Sequence, residues 1–106
     1  MFRLPPALAA RATQRVLELL GPPPGRVLEL GFAGIHAEPL RLAGFEVIVV
    51  ETDPAHAAAA RERAGRVFEA APVGSFDAVV APAGADLTGI DARRVLLVRR
   101  DGSVVG

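Results

Sequence analysis

Cysteine is absent from this chain, which excludes disulfide frameworks, thiol nucleophiles, iron–sulfur clusters and thiolate-bound zinc. Lysine, asparagine, tryptophan and tyrosine are missing as well, and glutamine occurs only at Gln14. Such a shortage of heat-labile side chains beside nine prolines suits a thermophile, and a GC-rich genome yields the same excess of Ala, Arg, Gly, Pro and Val. Charge of one sign is lacking too. The 12 basic residues, all arginine, balance 12 acids, so no global field draws the chain to nucleic acid or a membrane surface. No apolar run approaches the roughly 18 residues of a membrane span. Before Arg11 and Arg15, Met1-Phe2-Arg3-Leu4-Pro5-Pro6 offers no continuous apolar stretch of the secretory kind, so the expected location is cytoplasmic.

What is present points to one soluble globular domain. Hydrophobic residues make up 51% of 106, with a mean hydropathy of +0.35. A chain of this length supports a single modest core. Leu8, Ala12, Val16, Leu19 and Leu20 recur at helical spacing and predict an amphipathic helix from Pro6 to Leu20, with its apolar stripe on a sheet or a second subunit. Residues 21–25, Gly-Pro-Pro-Pro-Gly, form a stiff linker to a core spanning 26–106.

That core alternates between two periods. Strands are predicted at 26–30, 45–50, 67–69, 76–81 and 95–98, and the first two are followed by helices that end at Gly44 and Gly65. Asp53-Pro54 reads as a helix cap with proline at the first helical position. Such alternation implies a mostly parallel, five-stranded sheet. Asp101-Gly102 is a hairpin signal that folds 103–105 back as an antiparallel edge, and a helix over 91–99 is the competing reading.

In such a sheet ligands bind outside the carboxyl ends of the strands. Gly31–Gly34, Glu51 and Glu69 stand there. Glycines let a backbone approach a ligand closely, and Glu51 follows Gly31 by about 20 residues, the separation at which a carboxylate ends the second strand and accepts from a ribose. The expected ligand therefore contains adenosine. His36, behind the glycine turn, is the one plausible base, although a histidine there reads more naturally as an exposed or capping side chain. His56 forms no metal-ligand spacing with the acids. Asp77 is expected at the amino end of its strand in a structural role. Arg93, Arg94, Arg99 and Arg100 read as solvated strand ends that blunt an edge.

Residues 27–34 (VLELGFAG), 44–54 (GFEVIVVETDP) and 74–80 (GSFDAVV) resemble the first, second and fourth motifs of class I S-adenosylmethionine-dependent methyltransferases, in the family's order. The resemblance implies a Rossmann-like three-layer α/β sandwich preceded by the N-terminal helix, with S-adenosylmethionine as cofactor. It implies that Glu29 is the acid of the cofactor loop and that Gly31, Phe32, Ala33 and Gly34 wrap the methionine end. Glu51 with Thr52 then meets the ribose, Glu69 with Ala70 the adenine, and Ala81 with Pro82 the transferred methyl group. The loop departs from the family's Gly-x-Gly-x-Gly, since Ala33 stands at its second glycine. Only Ala81, Pro82, Ala83 and Gly84 follow the fourth strand, and no catalytic side chain is assigned. A substrate pocket completed by a homodimer or partner protein, a non-catalytic interaction module and a nicotinamide-nucleotide domain are the three developments of this reading.

Overall fold

The computed structural model describes residues 4–32, 34–64, 66–70 and 72–106, the Ala64 side chain excepted. Ala33, expected in the cofactor loop, and Gly65, expected to end a helix, lie outside the described residues. The elements are α1 (Pro6–Leu20), β1 (Arg26–Leu30), α2 (Ala37–Ala43), β2 (Glu46–Val50), α3 (Pro54–Ala64), β3 (Val67–Phe68), β4 (Ser75–Pro82), β5 (Asp91–Val98) and β6 (Val104–Val105).

Their ends follow local chemistry. Pro6 opens α1, where its missing N–H costs nothing, and Gly21 closes it by donating to the Leu17 carbonyl. Gly44 takes a left-handed conformation and donates to Arg41 and Leu40, ending α2. At α3 the Asp53 carboxylate accepts from the Ala55 N–H at 2.9 Å, as expected of a cap.

The strands form one sheet in the order β3-β2-β1-β4-β5-β6, parallel except for the antiparallel β5–β6 pair. This mostly parallel arrangement is compatible with a Rossmann-like fold, its order reversing between β1 and β4. The sheet has six strands where five were expected, because the turn at 99–103 closes and the Arg99 N–H donates to the Ser103 carbonyl at 2.9 Å. Residues 91–98 are strand throughout, which overturns the helical alternative. The strand begins four residues earlier than expected because its first half, Asp91 to Val95, is mostly exposed and carries no clear two-residue alternation.

Three-layer packing is not seen among the described residues. From β1 through β2 to β3 the chain steps one way across the sheet, so right-handed crossovers set α2 and α3 on the same face. Buried side chains from all three helices, Ala12 and Val16, Ala37 and Leu40, and Ala60, pack in one cluster with Val27, Val47, Val49 and Val80. The opposite cluster, Leu28, Val50, Phe76, Val79 and Ala81, contains no helical side chain. Ala85, Leu87 and Ile90, from the connection between β4 and β5, pack against it instead. Among the described residues this face is closed by loop rather than helix.

Polar contacts fix the margins. The Arg26 N–H donates to Asp77 Oδ2 at 2.7 Å and its guanidinium to the Ser75 carbonyl at 3.1 Å, tying the amino ends of β1 and β4 in the structural role expected for Asp77. Arg94 donates to the Leu19 carbonyl at the end of α1. Buried Gly102, in the β5–β6 turn, lies against Leu8, so that a Cβ there would meet the Leu8 carbonyl oxygen at 3.1 Å. Helix α1 is thus bound to the far end of the chain. No described helix is long and apolar enough to cross a membrane.

Candidate functional site

The carboxyl ends of β1, β2 and β4 gather the predicted residues unequally. Gly31 ends β1 at a φ of +80°, a conformation costly for any residue with a Cβ. Its N–H donates to the Val50 carbonyl at 3.2 Å, which sets the glycine turn beside the residue preceding Glu51. Glu51 is buried at 7% exposure and held at both ends: its N–H donates to Phe68 at 3.0 Å, and its Oε1 accepts from the Asp53 N–H at 3.2 Å. Thr52 beside it is exposed, as are Glu69 and Ala70 beyond β3.

Asp53 adds polarity at the same corner. His56 Nδ1 stands 2.9 Å from Asp53 Oδ2, while the Ala55 N–H holds this carboxyl below its usual range, helped by the histidine. A run of Glu51, Asp53 and His56 linked through backbone and side chains therefore lines the start of α3.

Behind the glycine turn the chemistry is buried. Glu29 is fully inaccessible; its Oε1 accepts from the His36 N–H at 3.3 Å, and Gly34 supplies a second backbone hydrogen bond. The carboxyl ties the turn from inside the fold. Burial pushes it up to about 7, against the lowering influence of those bonds and of Arg41 and Arg63. Among the described residues its Oε2 has no hydrogen-bond partner.

Three of the candidate side chains lie in the interior. His36 is neither exposed nor a capping side chain. It is fully buried, its Nδ1 lies 2.5 Å from Thr13 Oγ1, and burial lowers it to about 4. It cannot act as a base on a ligand outside the fold. The Phe32 ring packs in the helix-side core, at 75° to the His36 ring with 4.8 Å between centroids, which leaves only its backbone to the turn's outer surface. Ala81 lies within β4 and is wholly buried in the second cluster. Pro82 is the residue that reaches the site, with Cγ and Cδ each 3.3 Å from where a Cβ on Gly31 would stand.

Thr13 and its bond to His36 escaped the sequence reading. The signal was there: with Ala9, Val16 and Leu20 it lies on the inward stripe of α1, and a hydroxyl on such a stripe needs a partner. A groove of about 700 Å³ opens where α1 meets α2, lined by Ala9, Thr13, Leu17, Ile35 and Pro39 among others, and by none of the predicted site residues.

Against known protein families and curated proteins the chain finds no match.

Proposed function

We propose that this chain is an S-adenosylmethionine-dependent methyltransferase-like protein that takes its cofactor over the carboxyl ends of β1 and β2. The observation that carries the proposal is the bond from the Gly31 N–H to the Val50 carbonyl. It joins a turn without a side chain to the strand end bearing Glu51, beside the reversal of strand order. A carboxylate there is an acceptor for ribose hydroxyls, which are donors, and Gly31 lets the backbone come close. Those features fit the group.

When bound, the cofactor supplies a methyl group on a positively charged sulfur, transferred in line to an acceptor's lone pair. The chain's part is to bind and orient, which is most of what such a displacement requires. Glu51 and the Asp53 N–H define the adenosine end, and Glu29 fixes the shape of the turn at the other. The remainder of an acceptor pocket comes from a second copy or a partner protein.

A second reading, an interaction module that transfers nothing, is favoured by the residues after β4. Pro82, Ala83, Gly84 and Ala85 carry no side-chain hydrogen-bonding group to orient an acceptor. Calorimetric titration with S-adenosylhomocysteine, beside NAD and ATP, separates these readings. Saturable binding of the first alone, near −8 kcal/mol for a micromolar site, supports the proposal. Binding of NAD alone transfers the site to a nicotinamide ligand. No heat and no change in Tm with any of the three leaves the interaction module.

A further inference from the structure

Thr13 and His36 bridge two elements through one buried bond. The Thr13 hydroxyl donates to the Ala9 carbonyl at 2.9 Å, as an inward-facing helical threonine commonly does. Its single proton being spent there, Oγ1 accepts from the ring, and His36 must carry its proton on Nδ1. Nε2 is then a bare lone pair, buried and, among the described residues, without a hydrogen-bond partner. A second proton on the ring would place a charge and a further N–H donor in the interior beside the Phe32 ring, with no acceptor for it among the described residues.

The charged groups nearest this cluster give that proton no bonded counterpart. Glu29 of β1 bonds the His36 backbone rather than its ring. Glu38 of α2 and Arg63 of α3 line the groove beside Thr13, and Arg41 of α2 acts on Glu29. Arg11, Arg15 and Glu18 of α1 lie on its exposed side.

We propose that Thr13 and His36 form a proton-operated clasp that holds α1 over the β1–α2 turn, closed while the ring is neutral and released when it takes a second proton. Release requires that α1 lift from the core and give up its contacts with Arg94 and Gly102, while Glu29 holds the turn through the His36 N–H. Burial, which holds the ring down to about 4 against an ordinary 6.5, sets the range over which the clasp works. The inference does not depend on the ligand of the proposed site.

Residue-by-residue amide hydrogen exchange between pH 4 and 8, corrected for intrinsic rates, tests it. The opening equilibrium of α1 should rise about tenfold per pH unit from 6.5 down to about 4, while amides of β1 and β4 hold level. His36→Gln should flatten that dependence, and Thr13→Val should leave α1 more open at every pH. The wild-type protein suffices if neither variant folds, since ¹⁵N resonances of His36 report its tautomer directly. An Nε2–H tautomer at neutral pH, or α1 exchange that does not respond to pH, overturns the clasp.

Discussion

Gly31 and Pro82 meet closely across the ends of two neighbouring strands: a Cβ on Gly31 would come within 3.3 Å of two Pro82 ring carbons, which would have to give by a few tenths of an ångström. Its φ of +80° adds a backbone penalty to the steric one. Gly31→Ala should therefore destabilise the fold by about 1–2 kcal/mol. Adding Pro82→Ala should recover only the steric part, as urea denaturation of the single and double variants would reveal.

Glu51 is expected to control affinity without controlling the fold. Replacing it with alanine should weaken S-adenosylhomocysteine binding by about 1.5–3 kcal/mol, the range for hydrogen bonds to a charged acceptor. A Kd equal to that of the wild type would remove Glu51 from the site.

Glu29 and His36 pull stability in opposite directions with pH. Glu29 rises from 4.5 to about 7 on folding, so its contribution is complete below 4.5 and is lost as pH climbs toward 7. His36 falls from 6.5 to about 4, so its contribution is complete above 6.5 and is lost on acidification. Each slope is at most about 1.4 kcal/mol per pH unit, and between 4.5 and 6.5 the two cancel. Unfolding free energy should be nearly flat there in the wild type. Glu29→Gln should leave stability rising with pH, and His36→Gln should leave it falling, a pair of signs that chemical denaturation at several pH values can read.

Asp77 should matter for stability alone. Asp77→Ala removes the acceptor for the Arg26 N–H at 2.7 Å, a charge-assisted bond at the amino end of the sheet. A loss of about 1–2 kcal/mol is expected. Ligand affinity measured in the same variant should not change, because the bond lies at the opposite end of β1 from Gly31.

Most of the architecture was legible because it rests on local rules. Glycine and proline punctuate the chain at Pro6, Gly21, Gly44 and Pro54, and the runs between them have either helical or strand period. Of the candidate site residues, Gly31 and Glu51 stand at the strand ends where counting along two βα units sets them. What could not be read depends on partners distant in sequence. Asp91 to Val95 is strand because β4 pairs with it, not because of its own pattern. Phe32, His36 and Ala81 stand where motif spacing sets a ligand, yet burial against α1 or the second sheet face claims their side chains. The single helical face had the same cause: 69–74 and 83–90 leave little length for a helix, but only the packing reveals what covers the sheet instead.

Helix α1 has one partner near it in sequence and others far away. His36 is 23 residues from Thr13, whereas Arg94 is 75 residues from the Leu19 carbonyl it binds. Leu8 rests against Gly102. In synthesis α1 precedes these distant partners, so its contacts with Arg94 and Gly102 form only after β5 and the β5–β6 turn have left the ribosome. The helix is therefore made before the groups that hold it, and its docking waits on strands far downstream.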